Sequence, residues 1–107
     1  VIVRALRSFD VRDVHLKWPN DVLSQQGKLA GVLIEAQGDV LGPSAVVIGI
    51  GLNYTLPMNL KREIDQPATA LDELCQLAPS RNQLLAVALS ELSKMLKQFS
   101  KSGFVSF

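Results

Sequence analysis

Three short runs hold the side chains best suited to chemistry. The first is Lys17-Trp18-Pro19-Asn20-Asp21, which puts a cation, an aromatic ring, a chain stiffener, an amide and a carboxylate into five positions. Pro-Asn-Asp is also ordinary turn chemistry, since Asn and Asp bond to nearby backbone and proline presets φ. The second is Lys28-Leu29-Ala30-Gly31, running into Val32-Leu33-Ile34-Glu35. A lysine followed by small residues leaves a gap beside a cation, and such a cation offsets negative charge developing on carboxylate or phosphate oxygens. The plain alternative is a solvated lysine at a strand start, with Gly31 as a bulge. The third is Gly49-Ile50-Gly51-Leu52-Asn53. Glycines at alternate positions weaken an apolar strand, so either a flat ligand approaches its backbone or a helix packs tightly on it. Asn53, at the strand end, offers donors and an acceptor that suit a purine edge.

Other signatures are missing. A dinucleotide fingerprint needs a third glycine at position 54, which is Tyr54, and no Walker-type loop is present. His15 is the single histidine and Cys75 the single cysteine, which excludes a multi-histidine metal site, a Cys-rich zinc site and a disulfide framework. His15 alternates with apolar neighbours and reads as a surface strand residue. Cys75 ends a short apolar helix and reads as core. Glu35 lies on the outward side of a strand and reads as solvated.

These residues need elements to hold them. Ile2, Ala5, Leu6 and Phe9 at helical spacing predict a helix over residues 1–9. Val14 and Leu16 alternate with polar residues and predict a short strand ended by Pro19. Residues 21–23 and 28–36 form the arms of a hairpin around a turn at 24–27, with Gly27 at a positive φ. Gly38-Asp39 and Gly42-Pro43 punctuate the next connection. Residues 45–52 are the most apolar strand; their β-branched content predicts a central strand buried on both faces. Residues 54–67 read as a long polar loop and residues 69–75 as a short helix. Ser80 and Gln83 form a capping-box pair opening a long helix, with Leu85, Ala88, Leu89, Leu92, Met95, Leu96 and Phe99 along one face and Gly103 as its stop. The fold class is α+β: a mostly antiparallel sheet with helices packed on one face.

Composition bounds the partners. The chain has 107 residues, 48% of them hydrophobic and 20% charged, which makes one globular domain. Eleven basic against ten acidic residues leave a net charge of +1, too balanced for a main partner that is nucleic acid or an anionic membrane. No apolar run approaches the length of a membrane span and no signal peptide is visible, so the expected location is cytoplasmic. The chain starts on Val1 and stops on an apolar run ending in Phe107, which predicts a piece of a longer protein.

Taken in this order and at this spacing, the three runs resemble the catalytic domain of biotin protein ligases. The resemblance is specific over residues 14–54 and continues more loosely through the long helix to Phe107. Lipoate ligases share the fold, but Lys-Trp-Pro-Asn-Asp joined to an Ala-Gly-Val-Leu-Ile-Glu strand is the biotin-type version. The resemblance implies ATP-dependent formation of biotinyl-5′-AMP, then transfer of biotin to a lysine of a biotin carboxyl carrier protein, with Mg²⁺ accompanying ATP. It implies that Lys28 contacts both the biotin carboxylate and the α-phosphate. Ala30, Gly31, Val32, Gly49 and Gly51 would form the biotin pocket. Asn20, Asp21 and Asn53 would contact the adenylate, with Asp21 also orienting the incoming amine or acting as its base. Lys17 would help with phosphate charge or serve the turn.

Family members also carry an upstream glycine- and arginine-rich loop, an upstream Ser/Thr-containing biotin segment and a following small β-barrel. None is recognisable in these residues. Residues 1–107 are therefore expected to be the C-terminal half of a catalytic domain, with little or no activity alone. The resemblance leaves a homodimer open. Three rival readings stand beside it: a non-catalytic module that binds biotin or a nucleotide, a lipoate ligase-type enzyme, and an interaction domain whose sheet and long helix serve assembly.

Overall fold

The computed structural model describes residues 1–38 and 42–107, apart from the side chain of Ser106. The chain is α+β and forms two compact units, residues 13–74 and residues 1–12 with 75–107.

The first unit holds four strands, β1 (Val14–Lys17), β2 (Asp21–Ser24), β3 (Gly27–Gly38) and β4 (Ser44–Leu52). They pair in chain order, every neighbour antiparallel, as short connections require. The tightest hairpin pairs Ser24 with Gly27 across Gln25-Gln26, at the expected turn. Gly27 has φ +132°, and a Cβ there would lie 2.5 Å from the Pro67 carbonyl carbon. Glycine at 27 thus serves both the turn and the passage of residues 67–68 over it. Gly38, Gly42 and Pro43 flank the β3–β4 connection as expected, while Asp39 lies outside the described residues.

Val14, Val22, Leu29, Ala30, Ala70 and Leu71 are the buried apolar residues of this unit. Burying Leu29 or Leu71 contributes about 2 kcal/mol each. Two short helices follow the sheet, α2 (Met58–Glu63) and α3 (Leu71–Leu74). The region expected to be a polar loop therefore contains a helix. Met58–Glu63 was hidden because it shows no apolar periodicity and has no side-chain cap; Pro57, with φ −59°, starts it.

Two strand expectations are corrected. β4 is not central: among the described residues it pairs only with β3 and forms the sheet edge, with Val46, Val47 and Ile50 exposed. Its β-branched content reports affinity for a covered face and cannot say which residues provide the cover. On β1, Val14 is buried but Leu16 is 74% exposed, because only the first residue of this opposite edge strand reaches the core.

In the second unit, α1 (Ile2–Ser8) buries Ile2, Ala5 and Leu6 at the predicted spacing and packs against α4 (Arg81–Ser102). The capping box at the start of α4 is as expected: the Gln83 N–H donates to Ser80 Oγ (3.1 Å) and the Ser80 N–H to Gln83 Oε1 (2.9 Å). Gly103, at φ +57°, ends the helix, and a 3-10 turn follows over Gly103–Ser106. The packed stripe is rotated from the predicted one. Leu84, Val87, Ala88, Leu92 and Met95 are half-buried, whereas Leu85, Leu89, Leu96 and Phe99 are exposed. Phe99 meets Phe104 edge to face, ring centroids 5.1 Å apart. Among the described residues no helix is long and apolar enough to cross a membrane.

Candidate active site

The site begins with an irregularity in the β2–β3 hairpin. Asp21 pairs with Gly31 and Val22 with Ala30, but Leu23 pairs with Lys28. β3 thus carries one extra residue between Ala30 and Lys28, which is Leu29. Strand side chains alternate between faces, and an inserted residue reverses the alternation beyond it. Leu29 and Ala30 are consequently buried one after the other, and Lys28 is turned to the face of Gly31. A Cβ on Gly31 would lie 3.4 Å from Lys28 Nζ and 3.5 Å from its Cε. The bulge expected at Gly31 in the plain reading is therefore at Leu29, and the room Gly31 leaves is occupied first by the ammonium of Lys28.

That ammonium lies 3.0 Å from Asp21 Oδ1, with the two side chains 31% and 22% exposed. The pair is neither sunk in the core nor loose in water, so each charge can exchange its partner for a ligand group without being stranded. Asn20, the residue before Asp21, is fixed by its backbone: the Val32 N–H donates to the Asn20 carbonyl (2.9 Å). The Lys17–Asp21 segment is thus pinned to β3 through the Asn20 carbonyl and through Asp21, which pairs with Gly31, while Lys17, Trp18, Pro19 and Asn20 stay exposed. The Trp18–Pro19 peptide is cis.

Gly31 pairs with Gly51 across β3–β4, and Leu33 pairs with Gly49. A Cβ on Gly51 would meet no atom within 4 Å, and one on Gly49 would meet only Leu33, at 3.5 Å. Bare backbone therefore floors an open cleft of about 470 Å³, with Lys28, Asp21 and Asn20 at one end and Val32, Leu33 and Ile50 along it. That volume is within the range of small-molecule sites. A second, more apolar groove of about 660 Å³ adjoins it, bordered by Leu16, Lys17, Trp18 and Ile34. Trp18 is 81% exposed there.

Of the nine residues singled out by sequence, seven gather at this cleft: Asn20, Asp21, Lys28, Gly31, Val32, Gly49 and Gly51. Ala30 does not line it: by ordinary alternation it faces away from Gly31 and lies in the core opposite Val22. Asn53 does not line it either. Its Nδ2 donates to the carbonyls of Thr69 (3.1 Å) and, at a longer 3.4 Å, Lys28. His15 and Glu35 are exposed, and burial pushes the Cys75 thiol pKa up, the opposite of what a nucleophile needs.

Sequence reasoning missed the strap behind Lys28. The Lys28 N–H donates to the Pro67 carbonyl and the Thr69 N–H donates to the Lys28 carbonyl, both at 2.9 Å, forming a parallel bridge between Lys28 and Ala68. Thr69 is fully buried, and its hydroxyl donates to Glu73 Oε2 (2.7 Å). Glu73 also accepts from the Ala70 N–H (3.3 Å) and pairs with Lys61. These contacts hold its carboxyl below the ordinary glutamate range, the Lys61 hydrogen bond first and that of Thr69 second. No sequence signal pointed to it, since Thr69 and Glu73 stand four apart, one more than a capping box uses. Among the described residues no three His, Cys, Asp or Glu side chains gather as a metal site.

The geometry can be set beside known proteins. The profile of the biotin/lipoate A/B protein ligase family matches residues 1–53. A biotin–[acetyl-CoA-carboxylase] ligase from Mycobacterium tuberculosis is 43% identical over 88 residues, covering 82% of this chain and 30% of that protein. The bifunctional ligase/repressor BirA of Escherichia coli is 32% identical over 107 residues, covering all of this chain and 33% of that protein. Among solved structures, the apo biotin protein ligase of Aquifex aeolicus superposes with a TM-score of 0.77 at 32% identity, covering 99% of this chain and 46% of that one. The same enzyme in complex with biotin and ATP also gives 0.77. The chain spans between about a third and a half of the length of the relatives it matches. With the cleft, the bulged lysine and these similarities together, the chain belongs to the biotin/lipoate A/B protein ligase family, on its biotin protein ligase side.

Proposed function

We propose that this chain is the part of an ATP-dependent biotin–protein ligase that carries its reactive lysine. One observation supports the reading most: Lys28 Nζ, 3.0 Å from Asp21, stands over Gly31 at the end of a cleft floored by glycine backbone. Biotin lies along Gly31, Gly49 and Gly51 beside Val32, with its carboxylate towards Lys28. A carboxylate oxygen attacks the α-phosphorus of ATP, the bond to the bridging oxygen breaks, pyrophosphate leaves and biotinyl-5′-AMP forms. Two anions must meet in that step, and a fixed ammonium between them lowers the repulsion while holding their orientation. Mg²⁺ arrives with ATP, on its phosphates.

Lys28 turns from Asp21 to the substrate oxygens as they bind, which leaves the carboxylate available. In the second step an amine of the acceptor lysine attacks the acyl carbon and AMP departs with the electron pair. Asp21, a residue from Asn20 and within reach of Lys28, orients that amine and takes its proton. Asn20, which lines the cleft, contacts the adenylate. The acceptor is a biotin carboxyl carrier protein in the cytoplasm. Among the described residues β4 pairs only with β3, and that edge suits pairing with a second copy in a homodimer.

The test is incubation of the complete protein with biotin and α-labelled ATP. Biotinyl-5′-AMP and pyrophosphate are expected, with biotin preferred over lipoate in competition. Binding of biotin or nucleotide with no adenylate would favour a binding module, and preferential lipoyl-AMP a lipoate ligase. Residues 1–107 alone are expected to give little or no turnover, since Lys28 acts on substrates that must also be enclosed.

A further inference from the structure

The reactive lysine of the proposed reaction sits on a backbone irregularity, and a strand bulge has one ladder contact fewer than a regular strand to hold it. The structure supplies the missing restraint from residues 67–69. This strap gives Lys28 both a carbonyl acceptor, from Pro67, and an N–H donor, from Thr69. Asn53 ties the strap to the same place from the end of β4, donating to the carbonyls of Thr69 and Lys28. The strap itself is anchored at one side chain. The Thr69 hydroxyl donates to Glu73 Oε2, and Glu73 is held in turn by the Ala70 N–H and Lys61. Thr69 has no exposed surface, so no water replaces that bond when it is lost.

We propose that Thr69 is a positioning residue for Lys28: through the strap, Asn53 and Glu73 it fixes the bulged backbone from which the ammonium reaches the cleft. This rests on the biotin-ligase reading above. Thr69 does not line the cleft, and its N–H meets the carbonyl of Lys28, which does, so its effect passes through Lys28. Misplacement of a reactive group by about 1 Å costs up to about a hundredfold in rate, so even partial slackening of the strap is measurable.

The experiment uses the complete protein. Thr69→Val keeps the shape and removes the hydroxyl; Thr69→Ser restores it. For biotinyl-5′-AMP formation, Thr69→Val should lower kcat about tenfold, by misplacing the ammonium, with KM for biotin and ATP within about threefold. Thr69→Ser should recover most of the rate. The deciding measurement is the double variant. In a Lys28→Ala background, Thr69→Val should change the residual rate by less than about twofold, because its only route of action is gone. Equal effects of Thr69→Val with and without Lys28, or an unchanged kcat in the single variant, would overturn the proposal. Should Thr69→Val not fold, Glu73→Gln loosens the same anchor and carries the same cycle. An unaltered protein that makes no adenylate refutes the ligase reading instead. In that event amide hydrogen exchange still judges the strap: Thr69→Val should speed exchange of the Lys28 N–H, and unchanged exchange would sink it.

Discussion

Gly51→Ala separates the two reasons a strand can have for alternate glycines. Were Gly51 there for close packing, an added methyl would strike a neighbour. Its Cβ would instead meet nothing within 4 Å, and its φ requires no glycine, so the methyl stands in the open cleft. Alanine in a strand interior is favoured over glycine by about 0.5–1 kcal/mol, so the thermal midpoint should stay level or rise slightly. A bound ligand lying on that backbone meets the methyl directly. Overfilling a packed contact by one carbon costs about 1–3 kcal/mol, which is roughly 5- to 150-fold in affinity. Titration calorimetry of biotin into the complete protein, with thermal unfolding of the same sample, reads both quantities. The expected pair is weaker biotin binding and undiminished stability. Unaltered biotin affinity would show that nothing lies on Gly51, and a marked loss of stability would show that packing, not ligand approach, fixes the glycine.

Three further outcomes follow from the same geometry. Gly27→Ala should destabilise by about 2 kcal/mol or more in denaturant unfolding, since φ +132° is strained for alanine and the Cβ would sit 2.5 Å from the Pro67 backbone; an unchanged midpoint would contradict the strap. Glu73, its pKa depressed by Lys61 and then Thr69, contributes stability above its ordinary value of 4.5 and loses it as pH falls through the lower folded value. Acid unfolding of Glu73→Gln should therefore be flatter in that window, and an identical acid limb would refute the assignment. Asp21→Asn should leave stability within about 1 kcal/mol, because the pair with Lys28 is partly solvated, while slowing transfer to the acceptor lysine more than adenylate formation. Equal slowing of both steps would remove Asp21 as the amine's base.

Much of the site was legible because its residues cluster in sequence. Lys17–Asp21, Lys28–Val32 and Gly49–Gly51 fall on consecutive antiparallel strands, so nearness along the chain becomes nearness in space. The bulge at Leu29 was not legible. Leu29 and Ala30 read as a continuous apolar run, and nothing in their types says that both face inward. The fate of Asn53 depended on residues 67–69, which pair with Lys28 across about forty positions of chain and carry no strand signal. Apolar runs were read as buried, yet most of β4 and Leu85, Leu89, Leu96 and Phe99 of α4 are exposed. Hydrophobicity predicts that a surface needs cover, and only the packing shows whether these residues supply it.

In the proposed reaction the ammonium of Lys28 acts between two anions in the first chemical step. ATP–pyrophosphate exchange dependent on biotin isolates that step from acceptor transfer. In the complete protein, Lys28→Ala should lower exchange by about a hundredfold or more, the usual scale for losing one fixed charge at a reacting centre. Its thermal midpoint should move little, since the side chain is partly exposed and its pair with Asp21 is partly solvated. Exchange within about threefold of the parent would contradict the account, because a group central to the transition state cannot be removed at so small a cost.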